Sequence, residues 1–397
     1  MGGGNLMDIL WKNVINPVRK GRHAFNIFKF NIFISQLYMF RYMKIICLLF
    51  LLLPLSLFAQ EGRNEISDPE RLPFKEYNLI AQEPAPSDIK LPFSSIKIID
   101  SRYDTSKIGF THINYIFRGK KKSYKKLQLK GGLTDAIQKY FQDYFQHSFD
   151  SSGITLLVVI KKFWLSGIDN EKKKGLDVND NLNFTQSMYC KWEYYLGKDG
   201  KYLPVKRVDT VWTLAENLDE HLKDQFERKH KEFLKSTLRQ LIEMLDFSAG
   251  IRVFDQQNKK SMKDIITYNE SRFHIPILKD GKFAEGVFMN FEEFKNNKPA
   301  IIHFKESKIK YGLIRQENFI EDENGKQINP YWGYYDGINF KYGRFGNDKL
   351  YRNGNTFSFF IKMVWYTYDS SPGTLMNKQR NEVWIPYEID METGEIY

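Results

Sequence analysis

Cysteine is nearly absent from this chain of 397 residues, which has two, Cys47 and Cys190. Cys47 lies in a segment expected to be removed, and the single remaining thiol excludes an intrachain disulfide framework. Stability must then come from a packed core. Catalytic signatures are missing too: there is no nucleophile elbow, phosphate loop or dinucleotide fingerprint. Beyond residue 59 the histidines are His112, His147, His221, His230, His274 and His303, none of them at metal-ligand spacing. His221 and His230 fall on opposite sides of an expected helix and read as solvated surface rather than zinc ligands. No segment repeats at a fixed period, which excludes a propeller or a solenoid.

One long apolar run is present. Met43-Lys44 precedes Ile45–Phe58, and Ala59 offers a small residue for cleavage before Gln60. Positive, then apolar, then small is the order of a secretory signal, and the run is shorter than the ~20 residues a membrane span needs. Residues 43–59 are therefore expected to be a signal peptide cut between Ala59 and Gln60. The competing reading is an uncleaved anchor, to which the aromatic stretch Phe25–Tyr42 lends support. Residues 1–42 read as a spurious or unstructured extension. Residues 1–59 carry seven of the 59 Lys and Arg and one of the 48 acids, so the remainder has a net charge of +5 rather than +11. That is an ordinary surface, and it excludes the electrostatic footprint of a nucleic-acid binder.

Residues 60–92, rich in Pro, Glu, Asp and Ser, read as a flexible leader. After a short strand at Ile96–Ile99, Thr134 can cap an amphipathic helix whose stripe is Leu133, Ile137, Tyr140, Phe141, Tyr144 and Phe145. Ile154–Ile160 reads as a strand buried on both faces. Phe184–Leu196 alternates, and Gly197–Gly200 turns it into a second strand that runs to Leu214. Asn217 with Glu220 resembles a capping box opening a helix that runs toward Leu245. The expected fold class is α+β: an N-terminal antiparallel sheet with two amphipathic helices over residues 93–250, followed by a mainly β meander domain with one short helix over 262–397. Residues 250–263 read as the linker. In the second part Asn290 caps the short helix. Asn324-Gly325, Asp336-Gly337 and Asn353-Gly354 mark hairpins with type I′ turns, and Thr393-Gly394 marks a further turn.

The run Ile96-Lys97-Ile98-Ile99-Asp100-Ser101-Arg102, with Lys107-Ile108-Gly109 after it, resembles the opening of a YajG-like periplasmic lipoprotein domain. The likeness covers residues 94–165. There a strand, an Asp-x-Arg and an Ile-Gly precede an amphipathic helix and an apolar strand. The sequence departs from that pattern in lacking a lipidated cysteine. Gly286–Phe294 and Trp332–Gly337 resemble segments of uncharacterised exported proteins of Gram-negative bacteria. The resemblance implies a protein of the periplasm or outer envelope and brings no catalytic residue, metal or cofactor with it.

Two features point to binding. Lys120, Lys121, Lys122, Lys125 and Lys126 form a basic run that could contact an anionic surface, including peripheral contact with a membrane, although such runs usually only solvate loops. Trp332, Tyr334, Tyr335 and Trp365 belong to an aromatic-rich stretch that could stack on sugars, although alternating aromatics more often build sheet cores. Cys190 beside Trp192 reads as a buried, inert thiol. The expectation is an exported envelope protein, non-enzymatic, acting by binding or assembly contacts with an envelope protein. A carbohydrate-binding module is the alternative.

Overall fold

A computed structural model of the protein describes residues 68–112, 124–169, 182–218, 223–254, 258–279, 282–311, 315–343, 348–369 and 377–397. Its first half is built on one long strand. The strands are β1 (Phe74–Tyr77), β2 (Ser95–Asp100), β3 (Gly109–His112), β4 (Tyr124–Leu129), β5 (Thr155–Asp169), β6 (Leu182–Lys198), β7 (Lys201–Leu218) and β8 (Lys260–Ser261). They form an eight-stranded sheet ordered β1-β4-β3-β5-β6-β7-β8, with β2 also paired to β5. Leu156–Ile160 of β5 are fully buried, as an uninterrupted apolar run requires. Leu156, Val158 and Ile160 point into the main core, while Leu157 and Val159 point to the opposite face. Met188, Cys190, Trp192, Tyr194 and Leu196 of β6 alternate into the same main core.

Helices α1 (Leu133–Tyr144) and α2 (Lys223–Glu243) contribute to that core through Ile137, Tyr140 and Phe141, and through Leu234, Leu238, Leu241 and Ile242. Two local expectations are corrected. Helix α1 starts from Gly132, not Thr134, because the turn out of β4 runs through positive φ at Gly131 and Gly132. Asn217 does not cap α2; it lies in β7 opposite Asn183, where the strand ladder overrides the local capping signal. Glu220 lies outside the described residues.

The sheet is mixed rather than antiparallel. β1 runs parallel to β4, and both β2 and β3 run parallel to β5. The chain passes from β2 to β5 through α1, and parallel neighbours require such a crossover. Part of the expected leader is also structured: β1 pairs with β4, and Leu72, Tyr77, Leu79 and Leu91 are buried.

The expected linker carries the short helix α3 (Ser248–Val253) and β8, which pairs with the start of β7. Helix α4 (Met262–Ser271) then places Ile265 against Leu157, Val159 and Tyr195, on the second face of the first sheet. The segment expected to separate two domains therefore belongs to the packing of the first. Ile66–Tyr397 forms one compact unit.

The second half contains β9 (Gly286–Phe288), α5 (Phe291–Lys295), β10 (Phe304–Tyr311), β11 (Arg315–Asp322), β12 (Gln327–Ile328), β13 (Gly333–Tyr335), β14 (Phe340–Tyr342), β15 (Asp348–Asn353), β16 (Thr356–Asp369) and β17 (Asn377–Glu388). A six-stranded sheet runs β17-β16-β15-β14-β13-β9, and β10-β11-β12 form a smaller one. Asn290 caps α5 by accepting from the Glu293 amide. The glycine dipeptides do mark the hairpins, but only their glycines have positive φ, so these loops are not type I′ turns. Both central residues of Lys198–Lys201, Asp199 and Gly200, have positive φ, as a type I′ turn demands.

Candidate functional site

β2 and β3 occupy successive stretches of the same β5 edge. β2 pairs with Thr155–Ile160 and β3 with Leu165–Ser166. The chain between them, Ser101–Ile108, leaves the ladder opposite an irregularity in β5 at Lys161. It returns at Gly109, where φ is +144° and an added Cβ would lie 1.9 Å from the Leu165 carbonyl oxygen. Glycine is needed for that close return. The Asp-Ser-Arg and Ile-Gly elements thus bracket a loop folded against the sheet.

Arg102 braces this loop. Its Nε donates to Asp100 Oδ1 at 2.9 Å and its Nη2 to Asp100 Oδ2 at 2.8 Å. Its Nη1 donates to the Lys107 carbonyl at 2.6 Å. The Lys107 side chain has no solvent exposure, and three carboxylates surround its ammonium. Nζ donates to Asp104 Oδ2 and, at 3.1 Å, to Glu70 Oε1. Glu388 Oε2 lies 2.8 Å away, an ion-pair contact outside hydrogen-bonding geometry. Burial pulls the Lys107 ammonium down, but Glu388, Asp104 and Glu70 together hold it above the usual lysine range. Lys126 Nζ donates to the Glu70 carbonyl at 2.6 Å and lies 3.7 Å from the Glu70 carboxylate.

Three acids facing two lysines would leave a surplus negative charge in a site with little water. Burial pushes the Glu388 carboxyl up to about 8 against the opposing pull of Lys107. Of the three acids Glu388 is the one that most readily keeps its proton, and with it neutral Lys107 and Lys126 balance Glu70 and Asp104. The second sheet completes the cluster: Ser358 donates to Glu70 Oε1 at 3.0 Å, and Asn353 Nδ2 donates to Glu70 Oε2 at 2.8 Å.

The alternation Glu388-Ile389-Asp390-Met391-Glu392 extends the network. Ile389 and Met391 enter the core of the second sheet, and the acids turn toward the first. Lys162 donates to Asp390 at 2.6 Å. Glu392 joins Lys191 to Arg272, whose Nε donates to it at 2.7 Å, and Arg272 Nη1 donates to the Ser101 carbonyl at 3.1 Å. Burial raises the Glu392 carboxyl, but these two cations more than reverse it and hold it below the glutamate range. A cleft of about 20 Å³ lies among Arg102, Asp104, Lys161, Glu388 and Tyr397, with room for about one water molecule. Apolar contact flanks the charges, with Phe110, Tyr124 and Trp164 of the first sheet meeting Phe360 and Ile385 of the second.

Among the described residues no group of three His, Cys, Asp or Glu could hold a metal ion. The acids of the network converge on lysine and arginine instead. A larger open cleft of about 450 Å³ lies between β6–β7 and the chain end, lined by Lys162, Tyr189, Asp209, Val211, Glu395 and Tyr397.

The residues singled out from the sequence fall elsewhere. Tyr334 is fully buried, and Trp332 packs on Phe294 with ring centroids 4.1 Å apart. Tyr335 lies against Phe283 and Phe340 and donates its hydroxyl to the Gly337 carbonyl. Trp332 and Tyr335 serve the core of the six-stranded sheet, Tyr334 packs with Val287, Ile320 and Ile328 toward the small three-stranded sheet, and a sugar platform loses Tyr334 altogether. Trp365 stands in β16 opposite Asn381, and its side chain lies outside the described residues. Lys126 is buried in the charge network, while Lys125, half-buried, stands beside it in β4. Ala59, Gln60, Lys120, Lys121, Lys122 and His221 lie outside the described residues.

His230 is not solvated surface. It is fully buried, with Nδ1 2.7 Å from the Tyr77 hydroxyl, and burial pulls its imidazole down to about 3. Cys190 is buried and its thiol is pushed up by desolvation, which disfavours the reactive thiolate.

Neither Lys107 nor Glu388 stands out in the sequence as a site. Two signals do point to the wider charge network. Lys161-Lys162 interrupts an otherwise apolar strand, and acids alternate with buried apolar residues from Glu388 to Glu392. No family model matches the chain, and neither a curated protein nor a solved structure matches it.

Proposed function

We propose that this is an exported protein of the Gram-negative cell envelope that works by binding or assembly contacts rather than by catalysis. One observation carries the reading. Lys107, Glu388 and Asp104, all buried, are set against one another at the seam, and the buried Arg102 is taken up by Asp100 and the Lys107 carbonyl. The apolar signal-like run ending at Ala59 and the likeness of residues 94–165 to a YajG-like periplasmic domain support the envelope assignment. On this reading the α+β half supplies the lysines of the seam together with Glu70 and Asp104, and the meander over the six-stranded sheet supplies Glu388, Asp390 and Glu392. N-terminal sequencing of protein recovered from the envelope fraction tests the export step: a chain starting at Gln60 is expected, and one starting upstream restores the anchor. An enzymatic activity that survives purification and vanishes on substitution of one carboxylate or histidine overturns the non-catalytic half.

A second reading, carbohydrate binding, is favoured by the 450 Å³ cleft, where the half-buried rings of Tyr189 and Tyr397 sit beside Asp209 and Glu395. Ring faces next to carboxylates suit a sugar's apolar face and its hydroxyls. Calorimetric titration with soluble oligosaccharides decides it: heat that Tyr189→Ala abolishes supports this reading, and no heat removes it.

A further inference from the structure

β7 is a long sheet edge. It spans Lys201–Leu218 and pairs with β6 along its whole length, whereas on its other side, among the described residues, β8 covers Lys201 and Tyr202 alone. The opposite edge strand, β1, has four residues and exposes little ladder. A long strand with free N–H and C=O groups is a template for another strand, and proteins usually shorten or blunt such edges. β7 keeps its length and is rich in the β-branched residues that favour pairing: Val205, Val208, Thr210, Val211 and Thr213. Val211 is 51% exposed.

The charges along this edge have a self-complementary order. Arg207 and Asp209 share the face of the sheet that carries the chain end, and both are largely exposed, with Nη2 3.6 Å from Oδ2. An antiparallel copy of the strand placed about a two-fold axis at Val208 sets residue 207 opposite residue 209, 206 opposite 210 and 205 opposite 211. Each Arg207 then faces an Asp209 of the other copy. Directly opposed residues are the pairs that stabilise an antiparallel ladder, and opposite charges there are favourable. The axis stands perpendicular to the sheet, so each face continues as the same face in the second copy. The basic Lys206-Arg207 end of one strand therefore approaches the open cleft of the other, where Asp209 and Glu395 lie. Pro204, which has no N–H to donate, falls next to the irregularity at Val205, where regular pairing with β6 is already interrupted.

We infer that two copies of this chain associate through β7, forming one continuous sheet about a two-fold axis at Val208. The contact is isologous and closes at two. It does not depend on the envelope assignment.

Sedimentation equilibrium of the purified protein tests the inference, together with Arg207→Asp, Asp209→Arg and the double exchange. A dimer is expected for the parent chain. Arg207→Asp sets like charges opposite each other twice and is expected to weaken association at least tenfold, as is Asp209→Arg. The double exchange restores opposite charges at both positions and is expected to recover the dimer. Circular dichroism of each variant checks folding, and recovery in the double exchange guards against simple misfolding. A parent chain that sediments as a monomer at the highest accessible concentration overturns the inference. So does an oligomer that Arg207→Asp leaves unchanged, or a loss that the double exchange does not repair.

Discussion

The two faces of the first sheet invite direct comparison. The face under α1 and α2 buries Trp192, Tyr194, Leu156, Val158 and Ile160, with His230 buried against Tyr77 of the same core. The face toward the second sheet carries Lys107, Lys126, Lys162 and Lys191, set against Glu70, Asp104, Asp390 and Glu392. The first is closed to water and the second largely withdrawn from it, and they respond differently to damage. An apolar face loses transfer energy and gains a cavity when a side chain is cut back. An ionic seam left with one unmatched charge incurs the desolvation penalty of that charge, which is often larger. Redundancy is low at such a seam, because Lys107 alone serves three acids and Lys191 two.

The largest effect is expected at the hub. Lys107→Met leaves Asp104 and Glu70 without their main cation and should cost about 3–5 kcal/mol in urea denaturation. On the apolar face, Leu238→Ala removes a fully buried side chain from α2 and should cost about 2–4 kcal/mol by the same measurement. If the two costs came out in reverse order, the seam would be less tightly closed than its geometry indicates.

Two smaller effects are set by pH, and their signs differ. The His230 imidazole titrates at about 3 when folded against 6.5 ordinarily, so between those values the unfolded chain takes up the proton first. Stability falls as pH drops from 6.5 toward 3, and His230→Gln should flatten that acid limb in denaturation curves. The Glu388 carboxyl titrates at about 8 when folded against 4.5 ordinarily, so the folded chain holds the extra proton between them. Its contribution is fully present below 4.5 and is lost as pH rises through 8. Glu388→Gln should remove a slope of at most about 1.4 kcal/mol per pH unit between pH 6.5 and 8, where His230 is silent. At pH 6.5 the same substitution should leave stability within about 1 kcal/mol of the parent, because it mimics the protonated acid.

The contrast between the faces also separates what the sequence discloses from what it conceals. The apolar face could be read directly: period 3.6 in Leu133–Phe145, period 2 from Met188 to Leu196, and the unbroken run at Ile154–Ile160 are local signals of burial. Hairpins were legible for the same reason, since Gly325, Gly337 and Gly354 act within their own turns. The seam was not. Lys107 meets Glu70, 37 residues earlier, and Glu388 near the chain end, and no local period encodes such a meeting. The parallel pairing of β2 and β3 with β5 was missed for a related reason, since strand alternation carries no direction. Asn217 misled because a capping box is a local preference, and a ladder spanning Leu182–Leu218 outweighs it. The aromatics at Trp332, Tyr334 and Tyr335 were legible as a dense cluster, but period 2 does not by itself tell a packed face from a binding face.

The charged face acts as a structural joint within the single unit Ile66–Tyr397. Urea denaturation of Lys107→Met, followed in parallel by tryptophan fluorescence and far-ultraviolet circular dichroism, tests it most directly. A single transition in both signals, shifted by about 3–5 kcal/mol, is the expected result. A midpoint that stays at the parent value would contradict it.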